Sequence, residues 1–177
     1  MKRHSNLWIV SLLALALLKV SAFAADSGDS YAVTAGAIMH SENTAFTKLP
    51  YGDHDISYLL AFEGNDGEDG YWQLGVDYAP SISGIKTTDY VLSPQFNLIW
   101  RDRIFIGGIG ILDSYISDNS LGNDWSGIYW KLTLGLRIPL GKVDLALQTY
   151  YAFDTWGTLK EFKGKDLDYG ASLSYKF

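Results

Sequence analysis

Leu167-Asp168-Tyr169-Gly170-Ala171-Ser172-Leu173-Ser174-Tyr175-Lys176-Phe177 closes the sequence, and its reading decides the fold. Leu167, Tyr169, Ala171, Leu173, Tyr175 and Phe177 are apolar or aromatic, whereas Asp168, Gly170, Ser172, Ser174 and Lys176 are charged, small or hydroxylic. A period of two puts the first set on one side of an extended chain and the second on the other. A run this long is therefore a two-faced strand and not a helix.

The same alternation recurs upstream in seven more segments. Tyr31 to His40 and Arg103 to Leu112 are ambiguous in facing, the first because both its sets are partly apolar and the second because it is rich in Gly. The others are plain. Ile56 to Glu63 aligns Ile56, Tyr58, Leu60 and Phe62; Tyr71 to Ala79 sets Trp72, Leu74, Val76 and Tyr78 against Gln73, Gly75 and Asp77. In Tyr90 to Trp100, Tyr90, Leu92, Phe96, Leu98 and Trp100 oppose Ser93, Gln95 and Asn97. Ile128 to Leu140 carries seven alternate apolar residues against Tyr129, Lys131, Thr133, Gly135 and Arg137. Val143 to Phe153 sets Val143, Leu145, Leu147, Tyr151 and Phe153 against Asp144, Ala146, Gln148 and Asp154.

Short connections (Gly64 to Gly70, Arg101-Asp102, Gly141-Lys142) alternate with longer ones (Ser41 to Asp55, Pro80 to Asp89, Asp113 to Gly127, Asp154 to Asp166). That asymmetry is the mark of an up-and-down transmembrane barrel. A two-residue hairpin at Gly141-Lys142 sets Leu140 opposite Val143, and both belong to apolar sets, so the register is self-consistent.

Alternation alone also fits a soluble barrel with its apolar face inward. The polar face decides between them. It is mostly Gly, Ser, Gln, Thr, Asn and Ala instead of the Lys and Glu that a water face would carry, and small neutral residues suit the cramped lumen of eight strands. Tyr90 and Trp100 stand ten residues apart on one apolar face. At ~3.3 Å per residue and a tilt of ~40° they are separated vertically by roughly 25 Å, the height of a lipid-facing band bounded by aromatics. The expected fold is thus all-β: an eight-stranded antiparallel up-and-down transmembrane barrel with short periplasmic turns and four longer extracellular loops.

Composition agrees. Aromatics at 15% and 18 Gly favour strands and turns over helices, and no apolar run reaches the ~20 residues of a spanning helix. A net charge of −6 excludes a nucleic-acid partner, which would need a basic patch. With no Cys, neither disulfides nor lipid attachment through an N-terminal Cys is available.

Residues 1–24 read as a secretory signal peptide. Lys2, Arg3 and His4 are basic, Leu7 to Leu18 is apolar, and Ala22-Phe23-Ala24 is a small-x-small cleavage site, so the mature chain, one barrel over 25–177, begins at Ala25. Removing Lys2, Arg3 and Lys19 leaves 11 cationic residues against 20 acids, a mature charge of −9.

At this point the chain resembles the small eight-stranded outer-membrane proteins, the class of OmpX, OmpW and the OmpA membrane domain. Signal peptide, eight alternating strands and terminal Phe177 with Tyr175, Leu173 and Tyr169 before it carry the resemblance. It implies that this last strand is read by the barrel assembly machinery, that outer-membrane lipid and lipopolysaccharide surround the protein, and that it is a monomer needing no cofactor. Pro94 departs from the pattern: mid-strand on the apolar face it removes a ladder donor, so a bulge or strand break is expected there.

The inward set contains Glu63, Asp77, Lys131, Arg137, Asp144, Asp168 and Lys176. In the register of the Gly141-Lys142 turn, Asp144 is diagonal to Arg137, and we expect the two to pair near the periplasmic end, an unpaired lumen charge being costly. His40-Ser41-Glu42 invites comparison with outer-membrane lipid A deacylases, but adjacent strand residues diverge and no further match exists. The Gly64 to Gly70 and Asp113 to Asp124 segments are acid-rich turns without the ligand spacing of a calcium loop. Phe46, Leu49, Ile116, Leu121 and Trp125 are apolar loop residues suited to covering the barrel mouth or meeting a partner.

The functional expectation is a non-enzymatic barrel with a structural or surface-interaction role and a filled lumen. Two alternatives stand beside it. One is a conduit for small hydrophobic molecules through a wall weakened at Pro94 and Gly107, Gly108 and Gly110. The other is a lipid-modifying enzyme.

Overall fold

The computed structural model describes residues 31–41, 49–65, 69–83, 88–120, 122–157 and 162–177; the expected signal peptide and its cleavage site at Ala22, Ala24 and Ala25 lie outside them. The described strands are β1 (Tyr31–Met39), β2 (Ile56–Asn65), β3 (Gly70–Ala79), β4 (Thr88–Asp102), β5 (Phe105–Leu112), β6 (Tyr115–Asp118), β7 (Asp124–Trp125), β8 (Tyr129–Leu140), β9 (Val143–Phe153) and β10 (Asp168–Lys176). Eight of them, all but β6 and β7, form a closed antiparallel ring in which β4 returns to β3. Closure leaves no unpaired edge in that wall.

The seam between β1 and β10 is continuous, from Ala32 opposite Lys176 to Met39 opposite Tyr169. The facing of β1, open in the sequence, follows: Ala32, Thr34, Ile38 and His40 are buried while Ala35, Ala37 and Met39 are exposed. In β5 it is Ile106 and Gly110 that point inward and Phe105 and Ile111 outward.

Polar residues are inside and apolar ones outside. On β4, Gln95 and Asn97 are 3% and 2% exposed, whereas Leu98 and Trp100 are 42% and 57% exposed. A soluble protein shows the reverse. On β10, Tyr169, Leu173 and Tyr175 face outward, and at its foot Phe177 joins Tyr31 and Trp72 around Phe62.

Three expectations are corrected. First, Pro94 causes no bulge. It stays in register opposite Val76, and β4 keeps one register through it, with Gln95 opposite Leu112 and Leu92 opposite Tyr115. The break falls in the partner, at Asp113 and Ser114 between β5 and β6. There Asp113 N–H still donates to the Pro94 carbonyl at 3.2 Å, and Pro94 has no N–H to return the bond.

Second, the turn placed at Arg101-Asp102 is Arg103-Ile104, because the strand pairing runs on to Asp102 opposite Phe105. This register buries Ile106 with Tyr71 and Ile99. The hairpin at Gly141-Lys142 stands as expected, with Leu140 opposite Val143 and Gly141 at φ 77°, where glycine carries no Cβ penalty.

Third, the lumen is less uniformly small than its composition implied, since Leu59, Tyr71, Ile99, Ile106 and Tyr150 are buried there among the polar groups. Two of the glycines of β5, Gly108 and Gly110, sit in close contact with β4. A Cβ on Gly110 would lie 2.6 Å from the Phe96 carbonyl oxygen, so the residue lets β4 press close instead of weakening the wall.

Candidate functional site

The chemistry of the molecule is concentrated in its lumen, where inward polar side chains meet at the short-turn end, midway and at the long-loop end. At the short-turn end, Arg137 is the hub. Its Nε donates to Asp144 Oδ2 at 2.8 Å and its NH2 to Glu63 Oε2 at 2.9 Å. Lys176 Nζ approaches Asp144 Oδ1 at 2.8 Å, and the guanidinium lies 4.5 Å from the Tyr71 ring centroid. Glu63 Oε1 also accepts from Thr34 (2.6 Å) and Gln73 (2.9 Å). Arg137, Glu63 and Asp144 are each at most 4% exposed. Buried charges hold this way only when each has partners in good geometry, as here.

The sequence places Arg137 diagonal to Asp144, and the structure brings them together. Glu63, named only as an inward charge, was missed as the second partner. It comes from β2, 74 residues distant, and reaches Arg137 across the lumen. The usable signal was that Glu63 sits inward near the short-turn end of its strand, at the same level as Arg137.

Midway, Lys131 donates to Gln95 Oε1 and lies 4.2 Å from the Tyr150 ring centroid, while Asn97 donates to Gln73 at 2.9 Å.

At the long-loop end, His40 is the hub. Its Nε2 lies 2.8 Å from Ser57 Oγ and its Nδ1 3.0 Å from Asp168 Oδ2. The chain turns at this point, so Ser41 does not diverge as expected: its N–H donates to Asp168 Oδ1 at 2.7 Å and its hydroxyl at 3.2 Å. Glu42 lies outside the described residues. Tyr51 folds down into the mouth, its ring stacked on His40 at 3.7 Å and its hydroxyl 2.6 Å from Ser93. Burial drives the phenol pKa far above its ordinary value, so Tyr51 serves as a neutral hydrogen-bonding plug. Above it Ala79, Ile82 and Val91 cluster with Tyr51 and Ile116. Ile116 thus covers the mouth from within, whereas Trp125 stays exposed; Phe46 and Leu121 lie outside the described residues.

Ser57, His40 and Asp168 have the linear hydrogen-bond order of an acyl-transfer triad. Their surroundings do not fit the role. Ser57 is 0% exposed and one face of the imidazole is covered by Tyr51, leaving no approach for an acyl group. The arrangement works as a buried pin joining β2, the end of β1 and β10.

The acid-rich segment from Asp113 to Asp124 spends its carboxylates locally. Asp113 Oδ1 accepts from Gly127 N–H at 3.0 Å and Asp118 Oδ1 from Ser120 N–H at 2.7 Å. This is turn chemistry. In the other acidic turn, 66–68 lie outside the described residues.

No protein-family model and no curated protein sequence matches the chain. Among solved structures, the crystal structure of Neisserial surface protein A (NspA) matches 83% of this chain and 97% of that one, at 14% identity and a TM-score of 0.54. A de novo designed transmembrane β-barrel matches 85% of this chain and 98% of that one at 8% identity, with a TM-score of 0.46. The fold is therefore the closed eight-stranded membrane barrel of which NspA is an example, the class the sequence resembles.

Proposed function

We propose that this chain is an integral protein of the bacterial outer membrane with a structural or surface-interaction role, its lumen sealed by its own side chains and its long loops turned to the cell exterior. One observation carries the reading: the outward face is apolar and exposed while the inward face is polar, charged and hydrogen-bonded. That inversion is stable only where lipid surrounds the wall. The Tyr51 plug and the Arg137 cluster each cross the lumen, which argues for a filled barrel in place of a general pore.

The signal peptide supplies export, and outward Tyr169, Leu173, Tyr175 and Phe177 supply the assembly signal that the resemblance implies. A single barrel with a closed seam needs no partner subunit, so we take it as a monomer whose neighbours are outer-membrane lipid and lipopolysaccharide. Against the conduit, the ladders on both sides of Gly107, Gly108 and Gly110 run unbroken. Against the enzyme, Ser57 is sealed.

Purified barrel in planar bilayers tests the filled lumen: no steady unitary conductance should be seen, and ohmic channels in most insertions would overturn it. In cells, expression should leave both the lipid A acyl pattern and the uptake of hydrophobic dyes unchanged; a change in either would favour the corresponding alternative.

A further inference from the structure

The short-turn mouth of the barrel holds a cavity of about 240 Å³ lined by Tyr31, Glu63, Tyr71, Arg101, Arg137 and Lys176 among others. A water molecule takes about 30 Å³ in the liquid, so the space admits a hydrated or a bare small oxyanion. The surrounding charges are unbalanced. Arg137 is held by Glu63 and Asp144, and Lys176 by Asp144. Three cationic side chains thus face two carboxylates, and Arg101, half-buried at the inward end of β4, forms no ion pair among the described residues. In a chain of net charge −6, this is an unusual place for surplus positive charge.

The donors are also pre-set. The Arg137 guanidinium is fixed by two carboxylates and the Tyr71 ring, yet those bonds use only Nε and NH2 of a group with five N–H donors. Lys176 is anchored through a single contact to Asp144 and has three donors. Fixed guanidinium groups suit planar recognition of carboxylate or phosphate oxygens.

The geometry points to an anion-binding pocket in this mouth, taking one small oxyanion, a carboxylate or phosphate, among Arg101, Arg137 and Lys176, which line it together. The site is separate from the role proposed above, so its failure would leave that role standing.

Full-length mature barrel, labelled with ¹⁵N-arginine and refolded in detergent micelles, reads the pocket directly through the arginine Nε–H resonances. Inorganic phosphate and succinate are titrated separately at constant ionic strength. Saturable shifts of Arg101 and Arg137 with either probe are expected, and which one binds identifies the preferred oxyanion. Arg101→Gln should weaken binding at least about tenfold, the loss expected when a charge-assisted hydrogen bond is removed, and Arg101→Lys should restore part of it. Lys163→Gln, at the opposite end, should change nothing. Heat-modifiable migration confirms that each variant is folded. Shifts that never saturate with either probe, or an affinity unchanged in folded Arg101→Gln, would overturn the pocket.

Discussion

Arg137 shows how much of this molecule rests on single side chains. Replacing it with Ala leaves Glu63 without its cation and Asp144 with Lys176 alone, both carboxylates being buried. Breaking a buried pair in this way costs about 3–5 kcal/mol. Urea unfolding of the barrel refolded in lipid vesicles should show a loss near the lower end, because Lys176 still compensates Asp144; an unchanged midpoint would refute the cluster. Glu63→Gln keeps the shape and, with its oxygen in the Oε1 position, the bonds from Thr34 and Gln73, and should cost less, about 1–2 kcal/mol. Half of this site could be read from the sequence. Asp144 follows Arg137 through a two-residue turn whose geometry fixes their offset, so local rules suffice. Glu63 meets Arg137 across the lumen, a contact set by the diameter and stagger of the closed ring, which no local pattern encodes. His40, Ser57 and Asp168 come from the end of β1, β2 and β10, neighbours in the ring, and meet through the register of strands far apart in sequence, which no local pattern encodes either.

The strands show why alternation was legible where it was. β4, β8 and β9 show the clearest alternation, and most of their residues face as read, although Val91, Ile99 and Tyr150 join the polar set and Tyr151 and Phe153 are covered. β1 and β5 are mixed because Gly and Ala fit either face, so their facing is decided by neighbours: β10 on one side of β1, β4 and β8 on either side of β5. Glycine is therefore informative only in context, and two substitutions show it. Gly110→Val would drive Cβ into the Phe96 carbonyl and the Asn97 side chain and should abolish the folded, heat-modifiable band. Gly107→Ala meets Leu134 only at 3.6 Å and should fold normally. Pro94→Val restores the N–H missing opposite Asp113; an unchanged or higher unfolding midpoint, by up to about 1 kcal/mol, is expected, and a clear loss would mean that the interruption after β5 is itself needed. For β10, removal of Phe177 should lower the amount assembled in cells while in vitro refolding persists. Equal loss in both would assign Phe177 a packing role beside Phe62 instead of a signal.

At the scale of the whole molecule, the two ends are built differently. At the long-loop mouth Tyr51 is stacked on His40 beside an apolar cluster, whereas the short-turn mouth opens into a charged cavity. The sequence flagged apolar loop residues but not which would turn inward, since Leu49 and Tyr51 look alike in pattern to Trp125 until the loop path is known. The class of fold was legible because one strong rule, polar within and apolar without, had to hold on every strand of a closed ring in lipid. That rule is also the central claim. Its most direct test is fractionation of cells expressing the chain, followed by gel electrophoresis with and without boiling. The protein should sediment with the sarkosyl-insoluble outer membrane and migrate faster unboiled than boiled. A periplasmic or sarkosyl-soluble product whose migration ignores boiling would contradict it.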